Sequence, residues 1–109
     1  MQILKKEFEG KIGISYIDPP YNTGTDAAAF SYANRFGDDA WILFMRERLE
    51  VLHPLLSDSG CAILTIDDHM MAHLKILCDE VFGRTNFIGC IPVRIKPGGR
   101  SNDSYIAVE

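Results

Sequence analysis

No apolar run among the 109 residues approaches the roughly 18 consecutive positions that a membrane-spanning helix requires. The start, MQILKKEFEGK, carries lysines without an apolar stretch behind them, so it does not read as a secretory signal. Cysteine is scarce: Cys61, Cys78 and Cys90 lie far apart and form no CxxC pair. An odd number without a disulfide or zinc framework points to free thiols, most of them buried, in a reducing cytoplasm. Repeats, low-complexity tracts and linkers are also missing, which leaves a single unit over residues 1–109. Hydrophobic residues at 47% against 24% charged then exclude disorder and are enough for one small core.

Basic residues are outnumbered, and a net charge of −4 at face value opposes nucleic-acid binding. The distribution is more informative. Residues 81–102 hold Arg84, Arg94, Lys96 and Arg100 and no acid, so this stretch is +4 and the remainder −8. On charge alone the stretch is equally a solvated face or a phosphate-contacting one.

What is present alternates between two periodicities. Lys11 to Asp18 (KIGISYID) is a short apolar run with branched and aromatic members, closed by Pro19-Pro20; neither proline donates to a ladder, so a strand runs into a loop. Tyr21 to Gly37 reads as a long loop. Asp38 and Asp39 are good N-caps for a helix whose apolar residues Trp41, Phe44, Met45, Leu49, Leu52, Leu55 and Leu56 recur at three-to-four spacing, with Pro54 shortening or kinking its end. Ser57 to Gly60 is a stop and turn. Cys61 to Ile66 is a second strand closed by Asp67-Asp68, and a second helix runs near His69 to Phe82, capped by Gly83. Phe87 to Ile95 is a third strand, with Pro92 marking an edge or bulge, and SYIAVE starts a fourth. Short apolar strands alternating with helices predict an α/β fold, Rossmann-like and partial, with three or four mainly parallel strands and both faces covered. In such a sheet the segments following the strands gather on one rim, where open α/β folds bind ligands. Here they are DPPYNTG, Asp67-Asp68 and KPGGRSND.

The sequence Asp18-Pro19-Pro20-Tyr21-Asn22-Thr23-Gly24 carries the chemistry. An aromatic amine is a poor nucleophile because its lone pair is delocalised into the ring. Acceptors against its two N–H bonds favour a tetrahedral nitrogen and free that lone pair. A carboxylate is the strongest such acceptor, and a carbonyl held rigid by prolines can take the second hydrogen. A tyrosine three residues after the acid can stack on a base flipped out of the duplex. The structural alternative is a proline-terminated strand followed by an ordinary turn. His69 and His73 stand four apart on a helix, but the glutamate of HExxH is missing and a helix start explains the nearby acids, so no metal is expected. Trp41, on the apolar stripe, reads as core rather than as a stacking platform.

This loop resembles that of the DNA amino-methyltransferases, and most closely the group in which the catalytic motif precedes the cofactor motif, including the modification subunits of type III restriction systems. The likeness extends through Tyr32, Phe36, Trp41, Phe44-Met45, Arg48-Leu49, Leu55-Leu56, Gly60, Thr65-Ile66-Asp67-Asp68, Phe82-Gly83-Arg84, Asn86-Phe87 and Lys96-Pro97-Gly98-Gly99-Arg100. The resemblance implies methylation of adenine N6 in DNA with S-adenosylmethionine, by direct in-line transfer. It implies that Asp18 and the Pro19 carbonyl grip the amino group, that Pro20 stiffens the loop and that Tyr21 stacks on the flipped base. Asp18 would also lie near the methionine end of the cofactor. Asn22, Thr23 and Gly24 would shape the loop near the base, and Arg94, Lys96 and Arg100 become phosphate contacts. The cysteines agree, since none follows proline as a nucleophile for C5 methylation does. Implied partners are DNA, a restriction subunit or a second methyltransferase chain, with no membrane.

The family's glycine-rich cofactor motif and target-recognition region have no counterpart here, because Gly98-Gly99 is too short and opens no helix. A catalytic-motif fragment is therefore expected. Alternatives are the same chemistry on cytosine N4, RNA or protein, or an inactive remnant or subunit that pairs through an open sheet edge. Asp rather than Ser before the prolines leans toward adenine as a family tendency. Isothermal titration of the 109-residue chain with S-adenosylmethionine is expected to detect weak binding or none; micromolar affinity would refute the fragment reading.

Overall fold

Branched and aromatic side chains ahead of a proline pair favour extended backbone, and Ile12–Ile17 forms the first strand, β1. The computed structural model describes residues 2–22, 37–94 and 103–108. Helix α2 spans Asp38–Leu52 and buries Trp41, Met45 and Leu49, one residue per turn on a single stripe. Pro54 does shorten it, since a 3-10 turn takes over at His53–Leu55. Strand β2 covers Leu56–Asp67, helix α3 Met71–Phe82, and a second 3-10 turn Arg84–Asn86. Gly83 caps α3 at φ +93°, its N–H bonded to the Asp79 carbonyl at 3.0 Å. Strands β3 and β4 are Gly89–Arg94 and Asp103–Val108. One element went unread in the sequence: helix α1, Gln2–Phe8, whose mostly exposed residues offer no apolar stripe to read.

The four strands lie in the order β1-β2-β4-β3. β1 pairs with β2 in parallel, whereas β4 is antiparallel to both β2 and β3. The expectation of mainly parallel strands therefore holds for direction but not for pairing: β1, β2 and β3 run the same way, and β4 inserts between the last two against them. Only residues 95–102 separate β3 from β4, fewer than the dozen or so that a parallel crossover needs, so the chain returns as a hairpin. Among the described residues β3 is thereby an edge strand, which accommodates Pro92.

A second correction concerns the faces of the sheet. α2 and α3 both pack on one side, against Ala62, Leu64 and Ile66 of β2, with Met70, Leu74, Leu77 and Cys78 completing the core. The opposite side presents Ile14 (69% exposed), Tyr16 (63%) and Ile91 (53%), so among the described residues only one face is covered. Cys78 alone of the three thiols is buried; Cys61 is intermediate and Cys90 exposed, contrary to the expectation that most are buried. Asp38 and Asp39 are not caps either. Gly37 holds the cap position, and the two acids fall in the first turn, where the helix dipole favours them. Between the helices Arg46 pairs with Glu80, and that hydrogen bond raises the pKa of the guanidinium.

Ser57 to Gly60, read as a turn, lies within β2 as an excursion: Ile12 aligns with Leu56 but Ile14 with Cys61. Gly60 is required there by close approach, since a Cβ on it would stand 2.6 Å from the Ile12 carbonyl oxygen and 3.0 Å from the Ser57 nitrogen. Gly13, with nothing within 4 Å, has no such constraint. Gly60→Ala is expected to cost about 1–3 kcal/mol in urea unfolding, and Gly13→Ala no more than about 0.5 kcal/mol.

Candidate active site

Strand register positions the first candidate side chain. Ile17 aligns with Leu64 across the parallel pair, and both face the helices. The next residue on each chain points the other way, which brings Asp18 beside Thr65. The Thr65 hydroxyl donates to Asp18 Oδ1 at 2.5 Å. Asp18 itself is exposed, and its second carboxylate oxygen has no partner among the described residues.

Beyond Asp18 the loop turns toward α2. Pro19 is buried and Pro20 half-buried. The Pro20 carbonyl accepts a 2.7 Å hydrogen bond from Trp41 Nε1. Trp41 is fully buried, as expected of a core residue, but its ring nitrogen also fastens the loop, a function the apolar stripe gave no sign of. Since prolines have no N–H, only carbonyls in this dipeptide need partners. The Pro19 carbonyl has none among the described residues, which leaves it as the loop's available acceptor. Tyr21 is half-buried, its ring against the core cluster. A mostly apolar hollow of about 210 Å³ lies beside the loop, between Ile17, Asp18, Pro19 and Pro20 and the α2 residues Phe44, Met45, Arg48 and Leu49.

Asn22 ends the described part of the loop. At φ +60° it adopts the left-handed conformation that asparagine tolerates better than most residues. It is buried, and its Nδ2 donates to Asp38 Oδ1 at 3.2 Å, tying the loop to the first residue of α2. His73 Nε2 approaches the other Asp38 oxygen at 4.0 Å. Asp67 closes β2 by accepting from the backbone N–H groups of His69 (3.1 Å) and Met70 (3.4 Å), so this acid organises the turn before α3.

Asp18, Pro19, Pro20, Tyr21 and Asn22 thus form one continuous site at the end of β1. Arg94 is exposed at the end of β3. It shares the rim because the strands run the same way, but three strand spacings, roughly 14 Å, separate β3 from β1. Thr23, Gly24, Lys96 and Arg100 lie outside the described residues. Thr65 is the neighbour of Asp18 that the motif alone did not single out. The available signal was a lone hydroxyl in an otherwise aliphatic buried strand, Ile63-Leu64-Thr65-Ile66.

A family model of DNA methylases, the N6/N4 group, matches residues 12–107, which takes in both the loop and the strand beside it. The chain belongs to the N6/N4 DNA methylase family. It is 46% identical over 101 residues to a probable type III restriction-modification enzyme, the HindVI Mod subunit of Haemophilus influenzae, covering 93% of this chain and 13% of that protein. It is 40% identical over 113 residues to the type II methyltransferase M.KpnI of Klebsiella pneumoniae, covering 98% of this chain and 27% of the relative. The chain thus spans about an eighth to a quarter of the length of these DNA methylase relatives. A crystal structure from Thermus thermophilus, described as a DNA modification methylase, superposes with a TM-score of 0.64 at 16% identity, over 98% of this chain and 47% of its own length. That likeness supports the methyltransferase-like α/β fold.

Trp41→Phe keeps the aromatic body and removes the donor to Pro20. It is expected to cost about 1–3 kcal/mol in urea unfolding followed by circular dichroism. Amide exchange at Tyr21 and Asn22 should accelerate while the core amides of α3 stay protected.

Proposed function

We propose that this chain carries the catalytic loop of an S-adenosylmethionine-dependent DNA methyltransferase that acts on the N6 amino group of adenine within a restriction-modification system. The observation that carries this reading is the state of the loop's acceptors. One Asp18 oxygen is held by Thr65 while the other is free of described partners, and the Pro20 carbonyl is taken by Trp41 while that of Pro19 is not. Two acceptors next to each other in the chain, on a loop clamped from both layers, match an NH2 group with two hydrogens to place.

In this reading Asp18 accepts one N–H of the amine and the Pro19 carbonyl the other, drawing the nitrogen toward a tetrahedral shape with its lone pair exposed. Pro20, fastened by Trp41, keeps the Pro19 carbonyl from swinging away. Tyr21 presents its partly exposed ring to the face of a base that has left the stack. The same Asp18 carboxylate suits the ammonium of an amino-acid moiety, and the mostly apolar hollow beside it suits the methylene chain between that moiety and the sulfonium, so the residues present fit the methionine end of the cofactor. S-adenosylmethionine, when bound, supplies an electrophilic methyl group. Cradling the adenosine part falls to other portions of a longer protein of the kind its relatives' lengths indicate. The reading is of one α/β unit within a methyltransferase catalytic domain. Arg94, with Lys96 and Arg100, belongs to backbone contacts away from the reacting base. DNA is the substrate, and a restriction subunit is the partner suggested by the type III relatives.

Nucleoside analysis of DNA methylated by the full-length gene product that contains these residues tests the proposal. N6-methyladenine is the expected product, and Asp18→Ala should lower its formation by about two orders of magnitude or more without loss of the folded far-ultraviolet spectrum. Retained activity in that variant would remove the role assigned to the loop. N4-methylcytosine as the product would instead preserve the role and change the base.

A further inference from the structure

Thr65 is out of place in its strand. It stands between Leu64 and Ile66, both fully buried, and is itself only 7% exposed. A buried hydroxyl has to find a partner, and the fold gives it one: Asp18 Oδ1 at 2.5 Å, from a residue 47 positions away in sequence. We propose that Thr65 is a positioning residue that orients the Asp18 carboxylate, occupying one oxygen so that the other faces the amino group to be methylated. This rests on the reading of Asp18 given above.

The need for such a residue follows from the flexibility of the carboxylate. Rotation about the terminal torsion of an aspartate is broad, with no deep staggered wells. Asp18 is exposed and sits just past the last residue of β1, so the strand's own ladder does not restrict that rotation. Water would pull an unheld carboxylate into many orientations. A donor rooted in the adjacent strand, at the same register and on the same side of the sheet, fixes the carboxylate plane instead. Because the pair bridges β1 and β2, the orientation is tied to the hydrogen-bonded ladder between those strands. Holding a base in the site does not by itself require this alignment. In-line transfer does need it, because the lone pair must point along the methyl–sulfur bond. A positioning role of this kind lowers the turnover number more than it weakens binding.

Steady-state methylation by the full-length gene product distinguishes the possibilities through Thr65→Val, which keeps the shape, Thr65→Ser, which keeps the hydroxyl, and Asp18→Asn as reference. Rates are taken per folded molecule, with thermal midpoints measured in parallel. Thr65→Val is expected to lower kcat by about ten- to a hundredfold, leaving KM for DNA within about twofold, while Thr65→Ser stays within about threefold of the parent. Unchanged kcat in Thr65→Val, or a serine variant as poor as the valine one, overturns the inference, as does a fall in thermal midpoint with unchanged kcat. Should the valine variant not fold, Thr65→Ala against Thr65→Ser makes the same comparison. An inactive Asp18→Asn beside a fully active Thr65→Val defeats this inference alone. An active Asp18→Asn defeats the reading of the loop as well.

Discussion

Parallel pairing of β1 with β2 is the constraint on which the rest depends. Side chains along a strand alternate between faces, so the alignment of Ile17 with Leu64 decides where every later residue of β1 points. A slip of one residue would carry Asp18 to the helix side and break its contact with Thr65. Three features oppose that slip. Ala62, Leu64 and Ile66 are fully buried beneath α2 and α3, so displacing them would expose apolar surface. Ile17 packs against the same core from β1. Gly60 lets the excursion in β2 pass close to the Ile12 carbonyl, absorbing the extra residues before the aligned segment begins.

On this base the loop is held from two layers. Thr65 grips it from the sheet, and Trp41 from the helix that packs on the sheet. Asn22 adds a third tie, to the first turn of α2, in a backbone conformation that few residues accept. Loops that carry chemistry are normally positioned by a rigid scaffold rather than by their own hydrogen bonds. Here the scaffold reaches into the loop and takes up one Asp18 oxygen and the Pro20 carbonyl. The prolines limit how many groups need holding, because they contribute acceptors and no donors.

The sheet is asymmetric. Both long helices cover the same face, and the other presents Ile14, Tyr16 and Ile91 to solvent. The direction shared by β1, β2 and β3 still sends their C-terminal ends to one rim, although β4 runs against them between the last two. This explains why the acidic site and the basic Arg94 can share an edge of an acidic chain while lying on opposite strands of the sheet. Asp18 and Arg94 follow different strands of that rim, so the net value of −4 says little about what either of them meets.

Much of this was legible in the sequence. β1 ends before Pro19-Pro20 because those residues cannot continue a ladder, and Trp41, Met45 and Leu49 announce their helix by spacing alone. The Asp-Pro-Pro-Tyr order likewise suggests, through the capacities of its side chains, the chemistry proposed for it. These are local facts, decided within a few residues by sterics and periodicity. Other features needed the folded chain. That Trp41 is a donor as well as core, that Thr65 holds Asp18, and that Asn22 binds Asp38 rather than facing outward all join residues 16 to 47 positions apart. The same holds for β4 entering between β2 and β3, and for Gly37 taking the cap position ahead of two acids. Sequence pattern specifies which way a residue faces along its own element. Which neighbour it then meets is set by packing between elements, and the orientation of the Asp18 carboxylate is a property of that packing.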